Sequence, residues 1–117
     1  MPSLDLTYVL DILNAARLVQ TFVIGVDKAT FMQDLMRQSA VLRQLEVMGE
    51  AAKHVSPSFK AAYPNIPWRQ IAGMRDILIH AYNRVDLEIV WTATQVSIPQ
   101  VIPQLEALVS ATTDDSP

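Results

Sequence analysis

The sequence predicts an all-α protein, an antiparallel bundle of four to five helices. Three observations carry this. Apolar residues recur at intervals of three and four, most clearly in Val41, Leu45, Met48, Ala52 and Val55, the spacing that lines one face of a helix. No segment alternates apolar and polar residues for long, and no Asn-Gly or Asp-Gly pair marks a hairpin. Aspartate, serine and proline stand at the breaks between periodic stretches, where they cap or begin helices.

Each element has its own reason. A first helix is expected from Ser3 to about Gly25, with Val9, Ile12, Leu13, Ala16, Val19 and Val23 in helical register and Leu6, Leu10 and Phe22 widening the apolar arc. Gly25 suits a C-terminal stop. Asp27 can cap a second helix over about 28 to 55, bent near 35 to 38. Gly49 inside it costs roughly 1 kcal/mol against alanine, and close packing of another helix is the simplest reason for it. Ser56-Pro57 reads as a cap followed by proline in the first turn of a short helix, Pro57 to about Ala62. After the connector Tyr63–Pro67, a helix is expected over about 67 to 82. Asn83–Asp86 breaks it, and Asp86 caps a last helix carrying Val90, Trp91, Thr94, Ile98, Val101, Leu105 and Leu108, which Pro99 and Pro103 should bend or interrupt. Trp68 and Trp91 read as core residues. One domain is expected over residues 1–109, with 110–117 a disordered tail.

Composition narrows the chemistry. The chain has 117 residues, half of them apolar, and a net charge of −3, which suits one core and excludes a globally basic nucleic-acid binder. Any RNA contact must be local. There is no cysteine, so thiolate catalysis, disulfides and cysteine metal sites are excluded. His54 and His80 stand apart without a carboxylate cluster, so no metal site is expected. His54 has no partner pattern and reads as structural or inert. No signal peptide is apparent, and no apolar run approaches the roughly 18 residues that cross a bilayer. The expectation is a soluble, cytoplasmic protein without a membrane association.

The stretch Gly73–Tyr82 is the most informative. It gathers an arginine, an imidazole and a phenol into eight residues, Arg75 to Tyr82. On one straight helix Ile71, Met74, Leu78 and Ala81 form the core stripe, while Arg69, Asp76 and His80 share a polar strip with Gly73 as an open step beside it. Asp76 and His80, four apart, can interact directly. Arg75 and His80 differ by about 140° and about 7.5 Å of rise, too far apart to grip one phosphate from one side. Either the helix ends near His80 or a second copy of the chain supplies the missing half; the second is the preferred expectation, since a two-fold axis beside this strip would bring two arginines and two histidines into one cleft.

Arg75, four intervening positions, His80, one position and Tyr82 together resemble the signature of the HEPN superfamily (higher eukaryotes and prokaryotes nucleotide-binding) in its HepT-like branch. The flanking blocks Val41–Lys53, Ile66–Arg75 and Asp86–Trp91 are similar to the family's in the same order. The resemblance implies a small, dimeric all-α protein that is the toxin of a type VII-like toxin–antitoxin pair. It implies a metal-independent endoribonuclease that needs no cofactor, with Arg75 and His80 catalytic. It also implies a partner, a minimal nucleotidyltransferase antitoxin of the MntA type, that transfers AMP from ATP to Tyr82. Asp76 is then an orienting residue and Tyr82 a further support for RNA. Arg43, Lys53, Arg69 and Arg84 become candidates for RNA-backbone contacts. The competing expectation is a non-catalytic helical subunit that presents nucleotide or substrate to such a transferase; a purely assembling helical dimer is a third.

Overall fold

A computed structural model describes residues 4–76 and 86–113, and all the regular structure among them is helical. Helix α1 spans Leu4–Val23, α2 Lys28–Gln33, α3 Leu35–His54, α4 Pro57–Ala62 and α5 Trp68–Gly73. Helix α6 spans Leu87–Thr92 and runs through a π-helical segment, Ala93–Ser97, into α7, Ile98–Thr113.

The predicted stripe of α1 is its buried face: Val9, Ile12, Leu13, Ala16, Val19 and Val23 are all in the core. The arc is narrower than the sequence suggests. Leu10 is exposed and Phe22 only half-buried, because α3 and α7 cover one side of α1 rather than two. Gly25 ends the helix with φ at 73°, a conformation glycine adopts without steric cost.

The single helix expected over 28–55 is two helices, and the break falls at Asp34 instead of within 35–38. Asp34 leaves helical geometry (φ −98°, ψ 89°) and its carboxylate accepts from the Arg37 backbone N–H at 3.0 Å. Such a side-chain bond offers the backbone an alternative to helix continuation. The Arg37 N–H also holds the Asp34 carboxyl below the usual carboxylate range. The Arg37 side chain closes the corner by binding Asp34 and donating to the Phe22 carbonyl at the end of α1. Buried Gln38 donates to the Phe31 carbonyl at 2.8 Å. Phe31, fully buried, packs against Trp91 with ring centroids 5.2 Å apart, which ties α2 to α6.

These contacts fix direction. The end of α1 meets the start of α3 through Arg37, and the start of α1 meets the end of α3 through Asp5. The Asp5 carboxylate accepts from the Ser56 N–H at 2.7 Å and the Ser56 hydroxyl at 2.8 Å. Helices α1 and α3 are therefore antiparallel. Arg17 of α1 pairs with Glu106 of α7 at 2.8 Å, while Val23 and Pro99 line one cleft, so α7 also runs antiparallel to α1. The expected antiparallel bundle is present, with the stripe Val41, Leu45, Met48, Ala52 and Val55 at its centre.

The expected caps form. Asp27 accepts from the Thr30 N–H, Ser56 from the Phe59 N–H, and Asp86 from the Glu88 and Ile89 N–H groups. Pro99 does not break the last helix. The turn ahead of it widens to a π-helix, with the Ile98 N–H bonding the Ala93 carbonyl. Pro99 follows that turn directly within the continuous helix, where the widened geometry accommodates its ring and its missing donor. Pro103 stands on the exposed side of α7. Helix α7 continues to Thr113 rather than fraying from Ser110, and Leu108 and Val109 still pack against the core. Among the described residues, no helix is long and apolar enough to cross a membrane.

Candidate functional site

The site is built where α5 meets α3. Buried Trp68 and Ile71 seat α5 on the core, and the Trp68 indole N–H donates to the Tyr63 carbonyl at 3.0 Å. The helix expected over 67–82 does not run unbroken. Helix α5 begins at Trp68 and ends at Gly73, and Met74 and Arg75 form a turn. The Met74 N–H bonds back to the Ile71 carbonyl at 3.1 Å, three residues earlier, the tightened geometry common at helix ends. Glycine disfavours helix continuation at this point. The 140° separation of Arg75 from His80 rests on a helix continuing beyond Arg75, and of that interval only Asp76, which is helical, is among the described residues. His80, Tyr82 and Arg84, with Leu78 and Ala81, lie outside the described residues.

Arg75 is held against α3 by two features. A Cβ built on Gly49 would lie 2.5 Å from the Arg75 Cβ, 2.7 Å from its backbone N and 3.0 Å from the Ala72 carbonyl oxygen. No real Cβ tolerates those distances, so Gly49 permits direct contact between α3 and the turn. The close packing inferred from this glycine is therefore present, and its partner is the arginine-bearing turn. The second feature is Glu50, whose Oε1 lies 2.8 Å from the Arg75 Nε. Both side chains are partly exposed, Arg75 at 37% and Glu50 at 44%. The other carboxylate oxygen of Glu50 lies 4.0 Å from the His54 Nε2. The His54 ring stacks on Tyr8 at a centroid distance of 5.3 Å.

Glu50 was not legible as a site residue. The signal that could have found it is its place directly after a buried glycine in a long helix, where another backbone must come close. His54, read as having no partner pattern, has two partners, on its own helix and on α1.

The other predicted residues divide. Asp76 is exposed, one residue past Arg75. Gly73 is the open step expected, since a Cβ there meets nothing within 4 Å among the described residues. It opens onto a groove of about 440 Å³ between α5 and α6, walled by Gln70, Met74, Ile89 and Ala93. Arg43 is not gathered to Arg75. It pairs with Glu46 at 3.0 Å, about 10 Å along α3 from Glu50. Lys53 and Arg69 are exposed, on α3 and α5.

An all-helical bundle presenting an arginine at a helix–helix contact, with a histidine five residues on, defines a class of proteins, and comparison narrows it. The model of the ribonuclease HepT-like family matches residues 12–108. The chain belongs to that family. It is 41% identical over 101 residues to a Thermococcus cleftensis protein named "Probable ribonuclease HepT", covering 86% of this chain and 92% of that one. It is 33% identical over 99 residues to "Putative RNase MJ1380" of Methanocaldococcus jannaschii, covering 85% and 91%. No solved structure matches.

Proposed function

We propose that this ribonuclease-family protein is a metal-independent endoribonuclease, the toxin of a toxin–antitoxin pair, working as a homodimer on cytoplasmic RNA. The observation that carries the reading is Arg75. Its guanidinium is partly exposed at a fixed point on the surface, on a chain whose family is that of ribonucleases and whose next ionisable imidazole is His80.

The chemistry follows from those groups. A base removes the proton of a ribose 2′-hydroxyl, and that oxygen attacks the adjacent phosphorus. The P–O5′ bond breaks, the 5′ oxygen takes a proton, and a 2′,3′-cyclic phosphate remains. His80 serves as general base or general acid. Arg75 neutralises charge developing on the phosphate with a planar fork that lysine lacks. Asp76, one turn before His80 in sequence, orients the imidazole. Arg43, Lys53, Arg69 and Arg84 contact the RNA backbone.

The test is the product. Purified protein given RNA in excess chelator is expected to leave 2′,3′-cyclic phosphate and 5′-hydroxyl ends. Cleavage that stops on chelation and resumes with a divalent ion, or that leaves 5′-phosphate ends, would overturn the mechanism.

Silencing belongs to the same proposal. A nucleotidyltransferase partner transfers AMP from ATP to Tyr82. The phenolic oxygen bonds to the α-phosphorus, pyrophosphate leaves and the phenolic proton is lost. The anionic nucleotide then occupies the cleft by bulk and charge. Incubation with that partner and ATP is expected to add about 329 Da per modified chain. A Tyr82→Phe chain that gains the same mass would refute the assignment.

A further inference from the structure

The geometry points to Glu50 as the positioning residue of the site, the carboxylate that sets the direction in which Arg75 presents its guanidinium to an RNA phosphate. This rests on the ribonuclease reading and extends it to a residue outside the Arg75–Tyr82 motif.

The contact between Glu50 and Arg75 is made through Nε, at 2.8 Å. A guanidinium carries five donors in one plane, so the two Nη groups keep capacity for a second anion. An ion pair on the Nε side fixes the plane of that fork before a phosphate arrives. The Glu50 Oε2 faces the His54 Nε2 at 4.0 Å, beyond hydrogen-bond reach, and the His54 ring stacks on Tyr8 at 5.3 Å. The base of the arrangement is rigid, because Gly49 lets the Arg75 backbone rest directly on α3. Backbone contact fixes where Arg75 starts, and Glu50 fixes where it points.

Magnitude separates this role from simple stabilisation. Both partners are more than a third exposed, and an exposed ion pair contributes little to folding. Loss of Glu50 therefore leaves the fold nearly intact. Misplacing a catalytic group by about 1 Å, by contrast, costs on the order of 100-fold in rate. The charge adds a second signature. An anionic carboxylate beside the phosphate site repels substrate, so its removal does not weaken RNA binding.

The experiment compares native protein, Glu50→Gln and Glu50→Asp on a short RNA substrate, alongside the arginine Nε–H resonances in proton–nitrogen NMR. The Arg75 signal is assigned by its absence from Arg75→Lys. Glu50→Gln is expected to unfold within a few degrees of the native chain, to lose about 10- to 100-fold in kcat, and to keep or lower KM. Glu50→Asp, which retains the charge on a shorter stem, is expected to recover part of the lost kcat. In Glu50→Gln the Arg75 resonance moves to the position of mobile surface arginines.

An Arg75 resonance that is the same in native protein and Glu50→Gln overturns the proposal whatever the cleavage assay shows. So does native kcat in Glu50→Gln, or a loss that appears wholly as raised KM. If the resonance moves but native protein cleaves no RNA, the placement of Arg75 by Glu50 stands and the ribonuclease reading falls.

Discussion

Replacement of His80 by alanine is expected to lower RNA cleavage by about 10²–10⁴-fold while the chain stays folded, the range that general acid–base groups contribute. The imidazole is the one group in the Arg75–Tyr82 stretch that exchanges a proton near neutral pH. Without it, the 2′-hydroxyl must lose its proton to water. Expressed in bacteria, the native chain should arrest growth and His80→Ala should not. Equal arrest by both, at equal abundance, would remove His80 from the mechanism. Arg75→Ala should be comparably inactive, and Arg75→Lys should not restore activity, because a point charge replaces a planar fork. Mixing the two inactive chains tests the dimer. If each site takes its arginine from one subunit and its histidine from the other, a mixed dimer of Arg75→Ala with His80→Ala contains one complete site and regains activity. If mixing gives no recovery although mixed dimers form, both groups act within one chain.

Gly49→Ala is expected to damage both stability and activity. Alanine gains roughly 1 kcal/mol over glycine in a helix interior. Against this stands a methyl 2.5 Å from the Arg75 Cβ and 2.7 Å from its backbone N. Those atoms cannot swing aside as the end of a long side chain can, so α3 and the turn must separate. Overpacking of this kind costs about 1–3 kcal/mol, and backbone involvement puts it at the upper end. A net loss of about 1–2 kcal/mol and several degrees in Tm follows. Separation also lifts Arg75 off its base, so cleavage falls further than the fraction unfolded explains. Gly73→Ala is the matched control. A Cβ there meets nothing within 4 Å among the described residues, so its Tm should equal or exceed the native value. Calorimetry and cleavage rates on the two variants check this. A Gly49→Ala chain as stable and as active as native would show that the close approach is not required.

Much of the fold was legible because its causes are local. The stripe from Val41 to Val55 announces α3, and Asp27, Ser56 and Asp86 announce the starts of α2, α4 and α6. The misreadings share a cause. Asp34 breaks a helix through its bond to the Arg37 N–H, reinforced from the end of α1. Pro99, a plausible breaker, is absorbed by a π-helical turn. Leu10 looks like part of the core stripe, yet whether it is covered depends on where α3 and α7 lie. For the site, Arg75 was legible as a short motif. Glu50 and His54 were not, because they stand more than twenty residues earlier in the chain.

The sequence alone determined an all-α bundle, its helix caps, its central apolar stripe and its membership of a ribonuclease family. Periodicity, capping and motif spacing are properties of neighbouring residues, and they survive in a string of letters. Only the tertiary structure decided that α3 and the Arg75 turn touch at Gly49, and that Glu50 meets the guanidinium there. Such contacts arise from how two helices pack. A pairing between residues 25 positions apart has no local spacing to announce it.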